Sequence, residues 1–320
     1  MLLAIVLFLV GLAILILGAE GLVRGAASLA KRMGIQEIVI GLTIVAFGTS
    51  APELIVNLVA AFKGAADIAI GNIVGSNIAN ILLILGIAAI IYPLKVKHNT
   101  VWKEIPFALL AMVLIFTMGN DGFFDGAAYN AITRTDGFSL IAIFVIFMFY
   151  IFGISKAEAK PAESTEIKIY SKTVSILLTV SGLLLLFFGG KILVDNAVIL
   201  ARLAGLSESL IGLTIVAVGT SLPELFTSIV AIIHKRDDIA IGNIVGSNIF
   251  NVFWILGMTG TILQLPFSPS VNFDILVGII ASLLLFLFMF VGRRNKLDRW
   301  QGVSFVLLYF IYVVYIVFRG

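Results

Sequence analysis

The 320-residue sequence contains no cysteine, only two histidines and seven prolines, and 12% charged residues. Without cysteine there is no disulfide framework, thiolate metal site or cysteine nucleophile. No H-E-x-x-H occurs, and neither Ser50 nor Ser221 has a base nearby in sequence, which argues against a hydrolase. A charge fraction about half that of soluble domains excludes an ordinary water-exposed surface. The net charge of +3 does not suggest nucleic-acid binding, because the basic residues fall in short loops between apolar runs.

What fills the chain is apolar: 61% hydrophobic residues and a mean hydropathy of +1.15. Runs of about 20 residues recur throughout, the length that spans a bilayer as helix. Runs such as ILLILGIAAII (81–91) do not alternate, which excludes a transmembrane β-barrel. The first run, from Leu2, has no basic start and continues apolar past Gly21, so it reads as a retained helix and not a signal peptide. Ten spans are expected, near 2–23, 36–62, 67–92, 104–118, 138–154, 173–200, 209–233, 239–264, 274–291 and 302–318. With an outside N-terminus, sixteen loop lysines and arginines fall inside and four (Lys63, Arg134, Arg202, Arg319) outside. That bias places both termini on the extracellular side of a multi-pass cell-membrane protein.

The chain also repeats itself. Residues 41–86 aligned without gaps to 212–257 give 30 identities in 46 positions. GLTIVAFGTSAPEL (41–54) matches GLTIVAVGTSLPEL (212–225), and DIAIGNIVGSNIANILLILG (67–86) matches DIAIGNIVGSNIFNVFWILG (238–257). Five spans per half is an odd number, so the second copy enters the membrane inverted. Inverted repeats are an architecture of secondary transporters, with sites at the repeat interface near the midplane. The expected fold is therefore an all-α membrane protein, with ten transmembrane helices in two inverted five-helix repeats and discontinuous helices at the site. The first repeat covers 1–154, a polar cytosolic linker 155–172, and the second repeat 173–320.

Each copy places a proline and a glutamate inside an apolar run. Pro52 lacks an N–H and crowds the carbonyl of Gly48, so the second span should break or kink there. Carbonyls opened around Ala46 to Thr49 survive at membrane depth only beside protein or a cavity. Thr49, Ser50 and Glu53 lie within one turn, and Ala217, Thr220, Ser221, Pro223 and Glu224 repeat the arrangement. Carboxylates, carbonyls and hydroxyls make the all-oxygen shell that hard cations such as Ca2+ take. A charge at the bilayer centre costs about 2.5–3.5 kcal/mol on insertion scales, so two such glutamates bind something, are protonated, or bond a neighbouring helix in neutral form. Asn72, Ser76 and Asn80 share one helix face at i, i+4 and i+8, as do Asn243, Ser247 and Asn251. Asn72 and Asn243 also suit interhelical packing beside Gly71, Gly75, Gly242 and Gly246; Ser76, Asn80, Ser247 and Asn251 are candidates for the ion site.

These motifs, GTSAPE (48–53) with GSNIAN (75–80) and GTSLPE (219–224) with GSNIFN (246–251), resemble the paired signature repeats of the cation/Ca2+ exchanger superfamily, in its Na+/Ca2+ exchanger branch. The resemblance implies four ion positions in a diamond. In it Glu53 and Glu224 are shared carboxylate ligands, and the carbonyls of Thr49 and Thr220 complete a Ca2+ position. Ala46, Thr49, Ser50 and Ser76, with Ala217, Thr220, Ser221 and Ser247, form two flanking Na+ positions, and Asn80 and Asn251 line the middle. It further implies three Na+ exchanged per Ca2+ by alternating access, no cofactor, and no partner beyond the transported ions and the bilayer. Proton-coupled relatives typically carry a GNAxE-like sequence where this chain has GTSxPE, which favours Na+; an H+/Ca2+ exchanger is the nearest alternative. K+-dependent relatives carry Asp where Asn251 stands, which points to K+-independent transport. The 18-residue linker is too short for the large Ca2+-sensing insert of animal exchangers. A passive cation channel would use the same carboxylates, but mid-helix breaks in inverted repeats suit two-sided gating better.

Three further features read as structural. Glu20 with Arg24, and Lys191 with Asp195, are i, i+4 ion pairs. DGFFD (121–125) lacks the spacing of a Ca2+-binding loop and reads as a solvated loop. His98 and His234 sit at inner span ends.

Overall fold

A computed structural model describes residues 1–157, 169–205 and 217–319. Among them, eight unbroken helices are long and apolar enough to cross a bilayer. They are α1 (Leu2–Met33), α4 (Ala66–Ile91), α5 (Thr100–Gly119), α6 (Arg134–Ala157), α7 (Lys172–Leu203), α9 (Asp237–Ile262), α10 (Pro269–Phe288, whose first turn is 3-10) and α11 (Arg299–Arg319). A ninth crossing is the bent pair α2 (Glu37–Thr49) and α3 (Ala51–Phe62), which meet at 45°. The expected span over 209–233 begins in residues outside those described, and ends as α8 (Leu222–Ile233) after a short turn, Ala217–Gly219. The linker residues 158–168 likewise lie outside the described residues.

Local sequence explains where helices start and stop. Gly34 takes φ +65° and ends α1, a conformation that costs other residues a clash. Ser171 caps α7 by accepting the N–H of Val174. Gln301 reaches back to the N–H of Asp298 at 2.7 Å, the glutamine half of a capping box at the start of α11. Both α1 and α7 run 32 residues, longer than the hydrocarbon needs. Hence α1 carries Arg24, Lys31 and Arg32 beyond the apolar stretch predicted to stop near residue 23.

Burial sorts the helices. Within their apolar windows α9 is 94% buried and α4 78%, against 28% for α1 and α6 and 22% for α11. The two central helices are therefore the two that carry the GNIVGSNI copies, and the others turn exposed leucine, phenylalanine and valine side chains toward lipid. Small residues let the centre close. A Cβ on Gly242 would lie 2.9 Å from Gly41 Cα and 2.9 Å from the Ile38 carbonyl oxygen, so α9 and α2 touch backbone to backbone. Gly242→Leu is expected to force them apart, lowering stability by about 1–3 kcal/mol or more. The check is a fall in melting temperature in detergent; a melting curve like the parent's would show that the contact does not hold the core.

Two short ribbons tie loops together, one on each side. β1 (Leu94–Lys95) pairs antiparallel with β4 (Lys296–Leu297), and β2 (Ala131–Ile132) with β3 (Leu265–Pro266). The first ribbon lies on the side rich in basic residues, where Lys97 meets Asp238 at 2.6 Å and Arg236 meets Glu37 at 3.0 Å. On the other side Arg319 meets Asp274 at 2.9 Å and Asn120 exchanges amide bonds with Asn272 at 2.8 and 2.7 Å. The loops that alternate counting assigns to one side thus do meet one another.

The structural readings of the remaining charges hold. Glu20 pairs with Arg24, and Lys191 approaches Asp195 at 3.7 Å. His234, placed only at a span end by sequence, also bonds Glu20 at 2.8 Å and joins α8 to α1. The DGFFD segment differs in part from a plain loop: Asp121–Phe124 forms one helical turn, and Asp121 accepts the N–H of Ala131 at 3.1 Å.

Candidate functional site

The break in the second span falls at Ser50, two residues before Pro52. Ser50 leaves helical geometry (φ −83°, ψ 10°), and Pro52 sits in the first turn of α3, where no N–H is required of it. Ser221 does the same in the second copy (φ −88°, ψ 6°), with Pro223 in the first turn of α8. Each break therefore brings a carbonyl-bearing helix end against a helix N-terminus. Glu53 and Glu224 occupy those N-terminal first turns, where the helix dipole favours negative charge.

Both carboxyl groups are 1% exposed. Each is contacted from the opposite copy: Ser50 Oγ donates to Glu224 Oε1 at 3.0 Å, and Ser221 Oγ donates to Glu53 Oε1 at 3.3 Å. Ser247 Oγ adds a bond to Glu224 Oε1 at 3.3 Å. The threonines also reach across, Thr49 Oγ1 to Asn243 Oδ1 at 2.9 Å and Thr220 Oγ1 to Asn72 Oδ1 at 3.4 Å. Of the residues expected at the flanking positions, Ala46 accepts Ser50 N–H at its carbonyl at 3.0 Å, and Ala217 begins the turn Ala217–Gly219.

The other oxygens at this depth have no protein partner. Glu53 Oε2, Glu224 Oε2, Asn80 Oδ1, Asn251 Oδ1 and Ser76 Oγ are all buried and unbonded. Among the described residues no group of three or more His, Cys, Asp or Glu side chains forms a metal-binding cluster. The donor set is thus two carboxylates among neutral oxygens, with no sulfur and no imidazole. Such a set suits hard cations and leaves soft metals without their preferred ligands. Bonding two buried carboxylates only to hydroxyls leaves their charge uncancelled, a cost that a bound cation removes.

Asn80 and Asn251 sit within π-helical turns, Ala79–Leu85 and Phe250–Leu256. A third such turn, Gly41–Val45, precedes the break in the second span. These wider turns shift hydrogen-bond register by one residue and are frequent at functional sites. Neither helical periodicity nor composition signals them.

Some polar residues that matter here do not stand out in the sequence. Asn57 Nδ2 donates to the Ala69 carbonyl at 2.7 Å and its Oδ1 accepts from Thr259 at 2.9 Å, bracing α3 to α4 and α9. Asn243 donates to the Glu224 carbonyl at 3.2 Å and to Ser228 Oγ at 3.0 Å, so it serves helix packing, the alternative open to it from sequence. Asn77 and Asn248 are fully internal and bonded to each other's helix. Their identity in both repeats is the signal that could have found them.

Known proteins resemble the chain over nearly its whole length. A family model described as sodium/calcium exchanger protein matches residues 3–153 and 174–318. The inner membrane protein YrbG of Escherichia coli is 37% identical over 297 residues, covering 89% of each chain. The sodium/calcium exchanger MaX1 of Methanosarcina acetivorans is 32% identical over 343 residues, covering 96% of this chain and 97% of its own. A structure of the sodium-calcium exchanger NCX_Mj, soaked with 2.5 mM Na+ and 0.1 mM Ca2+, superposes with a TM-score of 0.82 at 33% identity over 98% of both chains. This chain belongs to the sodium/calcium exchanger family, as a multi-pass membrane antiporter of the prokaryotic type and not an enzyme.

Proposed function

We propose that this protein exchanges Na+ for Ca2+ by alternating access, three Na+ for one Ca2+ and without K+, at a site built on Glu53 and Glu224. The observation that carries this reading is the pair of buried carboxylates at two matched helix breaks, each with one oxygen left without a protein partner. Glu53 and Glu224 supply the charge, and Thr49 and Thr220 the carbonyls of the Ca2+ position. Ser50, Ser76 and Ala46, with Ser221, Ser247 and Ala217, serve the flanking Na+ positions, and Asn80 and Asn251 face the middle. The molecule divides into two inverted halves, 1–154 and 173–320, whose second copy reads the site from the opposite side. The charge bias of the loops orients both termini to the outside of the cell membrane.

The coupling ion follows from the neutral ligands. Hydroxyls and carbonyls around two carboxylates bind Na+ without a further acid, and Asn251 withholds the carboxylate that K+-dependent relatives carry there. The deciding experiment is radiolabelled Ca2+ uptake into proteoliposomes with imposed Na+, K+ or H+ gradients. An outward-directed Na+ gradient should drive uptake with no K+ on either side. Uptake driven by a pH gradient alone identifies an H+/Ca2+ exchanger instead, flux without any counter-ion identifies a channel, and a strict K+ requirement refutes the assignment of Asn251.

A further inference from the structure

Asn77 and Asn248 stand 171 residues apart at matching places in the two copies, each 1% exposed, where α4 and α9 cross. The site described above does not use them. Asn77 Nδ2 donates to the carbonyl of Asn248 at 3.3 Å, and Asn248 Nδ2 donates to the carbonyl of Asn77 at 3.3 Å. Each side-chain oxygen then accepts from an amide one turn further along the opposite helix. Asn80 Nδ2 donates to Asn248 Oδ1 at 2.9 Å, and Asn251 Nδ2 donates to Asn77 Oδ1 at 3.0 Å.

An asparagine amide has a donor end and an acceptor end, and which end points where follows from its partners. A backbone carbonyl can only accept, so Asn77 and Asn248 have to present nitrogen to it. The sulfur of Met112, 3.4 Å from Asn77 Nδ2, is also an acceptor and enforces the same orientation. Their oxygens are thereby turned toward Asn251 and Asn80, which have to present nitrogen in turn. What remains of those two amides is the oxygen: Asn80 Oδ1 and Asn251 Oδ1, buried without a protein partner. Polarity is passed from a fixed carbonyl, through one amide, to a second amide whose free end is an acceptor.

We propose that Asn77 and Asn248 are positioning residues that fix the amides of Asn251 and Asn80 with oxygen toward the transported cation. This rests on the reading that Asn80 and Asn251 line the ion site. The two relays are independent, because removing the Asn77 side chain leaves its backbone carbonyl in place for Asn248. Each positioning residue therefore acts through one amide only: Asn77 through Asn251, and Asn248 through Asn80.

Equilibrium binding of radiolabelled Ca2+ to the purified full-length protein in detergent tests this, with Na+-driven uptake measured alongside. Asn77→Ala is expected to weaken Ca2+ binding about tenfold, the lower range for loss of a residue that orients a metal ligand. Combined with Asn251→Ala it should bind no more weakly than Asn251→Ala alone, whereas combined with Asn80→Ala the two losses should multiply. A pair that serves only to pack α4 on α9 would give multiplied losses in both combinations, which overturns the proposal, as does unchanged binding by Asn77→Ala. If Asn77→Ala does not yield folded protein, the mirror cycle of Asn248→Ala with Asn80→Ala decides between the same two outcomes. Unchanged binding by Asn251→Ala and Asn80→Ala overturns the proposal too, and shows that the amides do not line the site. Full Ca2+ binding by Glu53→Gln instead identifies a failure of the carboxylate site itself.

Discussion

Replacing Glu53 or Glu224 by glutamine is expected to abolish Ca2+ exchange while leaving the protein folded. The substitution preserves shape, and Oε1 of either side chain still accepts its serine, Ser221 for Glu53 and Ser50 for Glu224. Removing a charge at membrane depth lowers the cost of burial, so the fold does not suffer. The site does. Where Oε2 stood without a partner, the amide now points N–H groups that repel a cation. Ca2+ affinity depends on the number of charged ligands, and halving that number should reduce exchange by about 100-fold or more. Proteoliposome Ca2+ flux, with size-exclusion profiles to verify folding, measures the outcome. Parent-like transport by either well-folded variant would remove the carboxylate pair from the mechanism.

Membrane potential should drive the exchange with comparable force. With both glutamates ionised the empty site carries two negative charges, which one Ca2+ or two Na+ cancel. A third Na+ at the neutral hydroxyls and carbonyls then moves one net positive charge per cycle. One charge crossing 100 mV is worth about 2.3 kcal/mol, which converts to a shift of roughly 40–50-fold in the Ca2+ gradient at equilibrium. An inside-negative cell would therefore draw Na+ in and Ca2+ out. Clamping liposomes at set potentials with fixed ion gradients, and finding where net flux is zero, gives the stoichiometry. A zero-flux potential that fits two Na+ per Ca2+, with no current, defeats the third Na+ but spares the carboxylate site.

Much of this molecule was legible because duplication marks what a chain keeps. Apolar run length located the spans, and among the described residues helix ends moved by only a few positions except at α1, whose basic last turns extend it to Met33. The repeated glutamates, serines and threonines stood out because each is costly at membrane depth and each occurs twice. Less visible was the position of the break, because a proline is harmless in a first turn and so lies after the kink it accompanies. The π-helical turns at Asn80 and Asn251 were invisible, being a one-residue slip in backbone bonding that any apolar sequence can make. Asn77 and Asn248 were duplicated as faithfully as the glutamates. Yet an amide is inexpensive enough in a helix to pass as packing, and only the crossing of α4 and α9 brings it to its mate.

The two ribbons have a mechanical meaning. One joins the α4–α5 loop to the α10–α11 loop, and the other joins the α5–α6 loop to the α9–α10 loop on the far side. The first ties the ends of α4, α5, α10 and α11, and the second those of α5, α6, α9 and α10, one hoop at each end of the frame. The long helices α1 and α7 stand outside both hoops and lie against each other: a Cβ on Gly182 of α7 would come within 2.5 Å of Leu22 N in α1. Displacing that pair as a unit breaks no hydrogen bond of either hoop. The bond such a displacement would strain is the one from His234 to Glu20, which crosses the seam and ties α1 to α8.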